Sequence, residues 1–282
     1  MKFPLLLLSL ALSPALTPAA SPSPLDRDNL VAWCIVPFDA THRTPEQRAE
    51  MLVDLGVKRY AYDWREEHIP TFEREIVAAQ KHGIEFFAFW RGHPAAFALF
   101  QKYAIHPQIW QTLPRPPATL DQADKIEAAV AGLIPLAQET AVLGCPLGLY
   151  NHGGWSGEPD NLIAVCQRLR ELGHDHVGIV YNFHHAHEHI ANWATLFPRL
   201  QPYLLCLNLN GMVTGGDKRD QKIVPLGQGD HEAAMLQVVI ASGYTGPIGV
   251  LDHLPETDSK ITLQQNLAGL NRLRAKSATA TP

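Results

Sequence analysis

Apolar and polar positions follow one repeating order along this chain from residue 29 onward. A short apolar run, rich in β-branched and aromatic residues, is followed by a polar loop and then by a helical pattern of apolar positions. The first run is "NLVAWCIVPF", and "TPEQRAEMLVDLG" follows it, with Thr44 as N-cap, Pro45 at the first helical position and Gly56 as the stop. The pattern therefore predicts strands that alternate with helices.

This order recurs to the end of the chain. Strands are predicted near 30–36, 57–63, 84–90, 107–113, 145–154, 176–183, 203–211 and 247–254, the fourth on a weaker pattern because Pro107 opens it. Helices are predicted near 45–56, 70–82, 93–104, 119–144, 158–173, 186–197, 230–243 and 263–276. We expect Thr119 to cap the long fourth helix and Pro135 to kink it.

Eight short, almost wholly apolar strands are typical of a parallel sheet that is buried on both faces. Their number and a span of about 250 residues fit a closed (β/α)8 TIM barrel, an α/β fold. We predict one such domain over residues 29–276. A doubly wound open sheet is the alternative, but no GxGxxG motif follows the first strand, which counts against a dinucleotide-binding fold.

The N-terminal segment differs from the rest of the chain. "MKFPLLLLSLALSPALTPAASPSP" has one lysine, an apolar run from Phe3 to about Leu12 and then small residues, which is the order of a secretory signal peptide. The apolar run is too short to span a membrane comfortably. We expect a signal peptide at 1–20, a leader at 21–28, a disordered tail at 277–282 and an exported protein, periplasmic or extracellular. An amphipathic or disordered N-terminal tail is the alternative.

Composition and charge limit the classes of binding partner that the protein is expected to have. The chain has 282 residues, 46% of them hydrophobic, and a net charge of -5, which provides for one large core and gives no basic surface for nucleic acid or anionic membranes. The cysteines lie in separate apolar segments without a CxxC pair, so we expect buried small side chains, although export would permit one disulfide bridge. They are Cys34, Cys145, Cys166 and Cys206.

Polar and aromatic residues follow nearly every predicted strand. In a TIM barrel the active site lies at these carboxyl ends, and polar groups that converge there are costly unless they are used or solvated. The candidate substrate-binding residues are Asn151, Asn182, His184, Asn208, Asn210, Asp63, Trp64, Trp90 and Arg91. The tryptophans suit stacking on carbohydrate rings or a place in the core. Asp63 as a helix cap or surface ion pair, Arg91 as rim cover and the asparagines as turn residues are the structural alternatives.

Four histidines occur within six residues in "NFHHAHEHI". His184 and His185 follow the sixth strand and are expected to face the site, whereas His187 and His189 belong to the next turn, solvated or capping. The loop "MVTGGDKRDQKIVPLGQGD" is the best candidate for a mobile lid, with exposed lysine and arginine side chains.

The segments "LGLYNHGG", "VGIVYNFHHAHEHI", "LLCLNLNG" and "IVPLGQGDHEAAMLQVVIASGYTGPIGVLDH" resemble the xylose isomerase-like TIM-barrel superfamily of sugar-phosphate isomerases and epimerases. The resemblance covers about residues 28 to 272 and is close from residue 145 onward. It implies a (β/α)8 barrel, usually a divalent metal, and proton transfer at the carbon beside a sugar carbonyl.

The family's usual metal ligands are two Glu, one Asp and one His at the ends of strands five to eight. This sequence has Asn151 and His152, then Asn182, Asn208 and Asp252 at those ends. Neutral amides are poor ligands for a divalent cation, so no cofactor is firmly predicted. A rebuilt metal site from His152, His185 and Asp252 is the alternative.

These features favour an exported enzyme acting on a small carbohydrate by acid/base chemistry beside a carbonyl. We predict isomerisation or epimerisation, or elimination and hydration of a keto-sugar. His152 and His185 are the candidate acid/base pair because imidazole titrates near neutral pH, and Asp252 is the candidate base or orienting group. The alternative is a non-catalytic carbohydrate-binding barrel that has lost the family's metal site.

Overall fold

The structure is a computed structural model that describes residues 23–279, with side chains to residue 275. The predicted signal peptide at 1–20 lies outside the described residues, as do residues 280–282 of the predicted tail. Residues 23–28 of the predicted leader pack against the barrel, where the Leu25 side chain is buried.

Eight parallel strands form a closed barrel in chain order. The first strand pairs with both the second and the eighth, which confirms the TIM barrel over the open sheet. The strands are β1 (Leu30–Trp33), β2 (Arg59–Asp63), β3 (Glu85–Trp90), β4 (Gln108–Thr112), β5 (Leu147–Tyr150), β6 (Val177–Asn182), β7 (Leu204–Leu209) and β8 (Ile248–Leu251).

A helix follows each strand. The helices are α1 (Pro45–Asp54), α2 (Phe72–Lys81), α3 (Pro94–Tyr103), α4 (Gln122–Leu143), α5 (Pro159–Glu171), α6 (Trp193–Leu200), α7 (Glu232–Ala241) and α8 (Ser259–Thr279). Helix α8 thus begins before the predicted start and extends into the predicted tail.

Two further helix starts differ from the prediction. Helix α4 is capped by Asp121, not Thr119, because the Asp121 carboxylate accepts a hydrogen bond from the Asp124 backbone N–H at 2.9 Å, and the helix is continuous through Pro135. Helix α6 begins at Trp193 because short 3-10 turns occupy 183–185 and 187–189.

Aromatic side chains pack inside the barrel up to the carboxyl ends of the strands. The Trp33 and Trp110 rings lie 4.8 Å apart, and Trp33 Nε1 donates a hydrogen bond to Tyr150 Oη at 3.3 Å. Gly148 leaves room for them, since a Cβ there would lie 2.6 Å from a Val180 methyl and 3.1 Å from the Trp110 ring. Because this interior is solid, open space occurs above it, at the carboxyl ends of the strands.

Helix α4 is, among the described residues, the one helix that is long and apolar enough to cross a membrane by length and composition. It lies against the barrel, with Ala129, Leu133 and Ala137 buried, as expected of a core helix in this fold. All four cysteines are free and buried, in agreement with their predicted place in the core.

Candidate active site

Two neighbouring cavities open at the carboxyl ends of the strands, and both are lined by His152, His184 and His185. The first, about 80 Å³, is called the narrow pocket and is lined by Trp33, Cys34, Phe38, Asp63, Arg65, Trp90, Tyr150, His253 and the shared histidines. The second, about 220 Å³, is called the wide cleft and is lined further by residues 153–154 and 157–158, 187–189, Asp217 and Lys222.

Asp63 is the buried acid of the narrow pocket. It ends β2, where the alternation of side chains turns Ala61, Asp63 and Arg65 toward the barrel axis. Its exposure is 2%, and neither carboxylate oxygen has a hydrogen-bond partner within the described chain. Burial raises the pKa of Asp63 to about 8, while the Arg65 charge works in the opposite direction. At pH 7 the carboxyl group is therefore mostly protonated, and it ionises as the pH rises through about 8.

Arg65 covers one side of the pocket. Its guanidinium lies 5.4 Å from the Phe38 ring centroid, and its Nη1 donates to the Trp64 carbonyl oxygen at 2.8 Å. The other face of this wall is His253, whose ring stacks on Phe38 with centroids 3.9 Å apart. His253 has a φ of +62°, a left-handed conformation that is costly for a residue with a Cβ. The aromatic wall beside Asp63 thus includes the Arg65 cation and the imidazole of His253, whose backbone is strained.

Three histidines form the boundary between the two cavities. The ring centroids of His184 and His185 are 3.8 Å apart, and those of His152 and His185 are 4.6 Å apart. Burial, with the Lys222 charge next, lowers the pKa of His185 to about 2. Burial also lowers the pKa of His184 well below its ordinary value, and lowers that of His152, which lies at the exposed rim. These imidazoles are neutral at pH 7, so each has one N–H to donate.

The three asparagines at the ends of β5, β6 and β7 are bonded to one another. Asn151 Oδ1 accepts from both the backbone N–H and the Nδ2 of Asn182, each at 2.7 Å, and Asn151 Nδ2 donates to the Asn182 carbonyl oxygen at 3.1 Å. Asn208 Nδ2 donates to Asn182 Oδ1 at 2.6 Å. We call this set the amide ladder. Its members are buried and do not line either cavity, so they support the cavity floor.

Gly249 makes room for the ladder. A Cβ at this position of β8 would lie 1.7 Å from Asn208 Oδ1, so only glycine lets that amide extend across the strand. Asn210, two residues after Asn208, does not belong to the ladder and bonds to the backbone of the following loop. Its Nδ2 donates to the carbonyl oxygens of Gly211 at 2.7 Å and Lys222 at 3.2 Å, which fastens the loop that carries Lys222.

Asp252 follows β8 and bonds to the start of α8. Its carboxylate is buried at the start of α8, where it accepts a hydrogen bond from the Ser259 hydroxyl. Burial raises the pKa of Asp252 to about 7, with the Ser259 hydrogen bond opposing this shift. Asp252 lines neither cavity, its Oδ1 has no hydrogen-bond partner in the described chain, and its charge acts on Asp63. The predicted grouping of His152 and His185 with Asp252 stays a prediction.

The family's metal does not fit the residues present. Three of its ligand positions are amides that are bonded to one another in the ladder, and the fourth, Asp252, faces α8. Between residues 23 and 275, no group of three or more His, Cys, Asp and Glu side chains is arranged to hold a metal ion. The narrow pocket therefore offers neutral imidazoles, the Asp63 carboxyl group and the Arg65 cation, and the wide cleft adds Lys222 and three carboxylates.

Two further predicted residues lie outside the cavities. Trp64 is buried against Phe72 and Phe89 on the outer side of β2, and its Nε1 donates to the Arg91 carbonyl oxygen at 3.1 Å. The exposed Arg91 side chain covers the Trp64 ring at 5.1 Å, which is its structural alternative as rim cover. Trp90, by contrast, lines the narrow pocket, 4.3 Å from the Tyr150 ring.

Sequence reasoning missed four residues of the site. Alternation along a strand could have found two of them, because Arg65 follows Asp63 on the inward face of β2 and His253 follows Leu251 on that of β8. Lys222 carried no such signal, since a long loop delivers it. His187 was expected to be solvated or capping but is 7% exposed, and neither ring nitrogen has a partner among the described residues.

The predicted lid loop is fastened to the barrel. The Glu232 carboxylate accepts hydrogen bonds from the backbone N–H groups of Met212, Gly227 and Gly229 at 2.9–3.0 Å. Lys218 pairs with Glu188 at 3.7 Å at the surface, so Lys222 is the cation of this loop that lines the wide cleft.

The sequence matches the family described as xylose isomerase-like TIM barrel over residues 61–268. The chain belongs to this family. No protein of curated function matches the sequence at a significant level. The barrel and the family membership together agree with the resemblance drawn from the sequence.

Solved structures share the fold at low identity. The 3-keto-D-glucoside 4-epimerase of E. coli has a TM-score of 0.63 and 14% identity, covering 88% of this chain and 99% of that chain. A D-allulose 3-epimerase from Methylomonas sp. has a TM-score of 0.65 and 12% identity, covering 90% and 100%. The probable 3-DHS dehydratase of Bacillus anthracis has a TM-score of 0.66 and 12% identity, covering 87% and 98%. At such identities the likeness shows the fold alone.

Proposed function

We propose that this protein is an enzyme that moves a proton at the carbon beside a carbonyl group of a carbohydrate. The observation that carries the proposal is Asp63, a carboxyl group with two unpartnered oxygens inside an aromatic pocket. An unpartnered buried carboxyl group is costly, and its raised pKa near 8 is that of a general acid or base at physiological pH.

The site offers a division of roles. Ionised Asp63 takes the proton, and the charge that develops on the carbonyl oxygen is met by N–H donors of the neutral His185 and by the Arg65 guanidinium. A neutral imidazole can stabilise such an oxygen by donating its N–H as a hydrogen bond. Asp63, now protonated, is the group that returns the proton to a carbon or to a departing hydroxyl group. His152, neutral at the rim, is the candidate to accept a proton from the opposite face of the substrate.

Carbohydrate as the substrate class is supported by the pocket walls and by the relatives. Trp33, Trp90 and Tyr150 present aromatic surfaces of the kind on which sugar rings pack. Two of the structural neighbours are, by name, sugar epimerases, and the third is a dehydratase. Return of the proton would give epimerisation or isomerisation, and loss of a hydroxyl group would give a keto-sugar lyase or hydratase.

Export is part of the proposal and rests on the N-terminal sequence. A periplasmic or extracellular enzyme meets free sugars and glycosides, whereas sugar phosphates are made in the cytosol. We therefore propose a non-phosphorylated substrate. Secretion of the full-length chain, detected in periplasmic or culture fractions and lost on deletion of residues 3–12, is the measurement for this part.

A second candidate function is favoured by the amide ladder. Three of the four family ligand positions have become amides that bond one another, as would follow if the barrel had lost catalysis and kept carbohydrate binding. The orphaned Asp63 favours the enzyme, because a binding protein has no use for a buried carboxyl group with a pKa raised to about 8.

Solvent exchange tests the two functions against each other. Purified protein is incubated in D2O with ketoses and 3-keto-glycosides, and deuterium incorporation is followed by NMR. We expect exchange beside the carbonyl, with kcat/KM rising through an apparent pKa near 8, and a loss of about 100-fold or more in Asp63→Asn.

The matched control is Asp175→Asn, the same change at an exposed residue in the loop before β6, at the opposite end of the barrel. Wild-type rates are expected from this variant. Sugar binding without exchange for any member of the panel would establish the binding barrel instead.

A further inference from the structure

We propose that the substrate carries a carboxylate group and that Lys222, with His184 and His187, binds it in the wide cleft. The proposal rests on the proposed function, since it assigns a substrate class, the sugar acids, to the same site. It is carried by the donors of the cleft that have no partner.

The cation of the wide cleft is Lys222. Lys222 is half-buried in the cleft wall and forms no ion pair with any described carboxylate. Its backbone is held in place by the hydrogen bond from Asn210 and by the antiparallel bridge between Gly211 and Val224. A lysine that is partly desolvated and unpaired, on a fastened loop, is arranged to receive an anion.

Two neutral histidines, His184 and His187, line the cleft together with Lys222. His184 Nδ1 and both ring nitrogens of His187 are buried atoms with no hydrogen-bond partner in the described chain. The side chains are 2% and 7% exposed, and both residues line the cleft with Lys222. A neutral imidazole has one N–H, so His184 and His187 can each donate one hydrogen bond to a carboxylate oxygen, and a buried N–H that lacks a partner costs free energy.

The charges of the cleft side chains determine which anion fits. The cleft also holds the carboxylates of Glu158, Glu188 and Asp217. The Asp217 charge acts on Lys222 and His187, where it opposes the lowering of the pKa by burial. The Glu158 and Glu188 side chains are 46% and 63% exposed and face His189 and Lys218, and Asp217 is exposed. One inner cation with neutral imidazoles suits a monoanion. A phosphate dianion would meet three carboxylates with a single lysine to compensate.

The wide cleft adjoins the narrow pocket, since His152, His184 and His185 line both cavities. In the proposal, the carboxylate of the substrate binds at Lys222 and its carbon chain extends past these histidines toward Asp63. The fitting substrates are keto-sugar acids, whose carbonyl lies a few carbons from the carboxylate.

The test is binding and turnover with matched ligands. Hexonates and the hexitols of the same configuration are titrated calorimetrically, because neither can react. Hexulosonates and the corresponding hexuloses are compared by the deuterium exchange assay. We expect tighter binding and higher kcat/KM for the acid of each pair, by roughly 10- to 100-fold. In Lys222→Met this acid-to-neutral ratio is expected to fall to near one, and in Lys218→Met, the exposed control, it should stay at the wild-type value.

The results separate the two proposals. Hexonate binding that depends on Lys222, without exchange of any hexulosonate, would support the carboxylate site and overturn the enzyme. Exchange with hexuloses at rates equal to those of the acids would support the enzyme and overturn the carboxylate site. Preference for a hexitol phosphate over the hexonate, an unchanged ratio in Lys222→Met, or no hexonate binding would also overturn it.

Discussion

At Asp63, the requirements of stability and of function oppose each other. The carboxyl group ends a strand whose other inward residues are apolar or packed, and it is buried with no described partner for either oxygen. In the folded protein the Asp63 carboxyl group stays protonated over most of the pH range, because burial disfavours its charged form. The same burial that makes the residue costly supplies a proton donor and acceptor at neutral pH.

Asp63→Asn should change stability in a pH-dependent way. The folded-state pKa near 8 lies above the ordinary 3.8, so the stability associated with the protonated form is present below pH 4 and is lost as pH rises through 8. The amide does not ionise. We expect the free energy of unfolding of the variant, measured by urea denaturation, to exceed that of the wild type by up to about 6 kcal/mol at pH 9 and to differ little at pH 3.5. The same difference at both pH values would contradict the assignment.

The histidines show how context changes a residue type. From the sequence, His152 and His185 are an acid/base pair because imidazole ordinarily titrates near pH 6.5. In the structure, burial and the Lys222 charge lower the pKa of both. His185 is therefore better suited to donate a hydrogen bond than to carry a proton, and Asp63 takes the role of base in our proposal.

At the scale of elements, strand alternation decides which polar residues reach the cavity. On β2 the inward residue is Asp63 and the outward residue is Trp64, and at the end of β8 the inward residue is His253 while Asp252 faces α8. Choosing candidates at strand ends without applying the alternation to each strand selects neighbours of the functional residues. This is why Trp64, Arg91 and Asp252 were predicted for the site and line neither cavity.

The loop between β7 and α7 depends on one carboxylate. Glu232 is 1% exposed and accepts three backbone N–H groups of that loop, and its amide isostere offers one oxygen where the carboxylate offers two. We expect Glu232→Gln to lower the free energy of unfolding by about 2–3 kcal/mol, measured by urea denaturation.

The control for Glu232→Gln is Asp230→Asn, which removes the same charge from an exposed position of the same loop. This variant is expected to stay within about 0.5 kcal/mol of the wild type. Equal effects of the two substitutions would show that net charge, and not the hydrogen bonds, stabilises the loop.

At the scale of the molecule, barrel closure brings the ends of eight strands around one opening, and the amide ladder crosses three of them where the family places metal ligands. The ladder amides are satisfied by one another, and Asp252 faces away. The barrel mouth is thus stabilised by hydrogen bonds at the position where relatives are expected to use a cation.

Metal addition tests this interpretation for the whole protein. A ligand at 100 times its Kd stabilises the folded state by about 2.7 kcal/mol, which shifts the melting temperature by several degrees for a chain of this size. We expect 1 mM Mn²⁺ or Co²⁺ to shift Tm by less than about 1 °C relative to the same protein in EDTA. A larger shift, reversed by EDTA and absent with Mg²⁺, would show that the residues do form a transition-metal site.

The sequence alone determined the fold. The order of apolar runs and helical patterns, with turn and cap residues between them, predicted a single (β/α)8 barrel, because burial on both faces requires continuous apolar strands and each helix requires one apolar face. It also indicated which end of the barrel to search, and the resemblance to the family implied that amides stand where its metal ligands are expected.

Tertiary structure decided which of those polar residues act together. The amides of the ladder bond one another instead of facing solvent, and Asp252 bonds to α8. Lys222 and His187 enter the site through loop packing that no periodic pattern encodes. Side-chain direction at a strand end, the pKa of a buried group and the place of a long loop all depend on neighbours distant in the chain, and only the closed barrel supplies those neighbours.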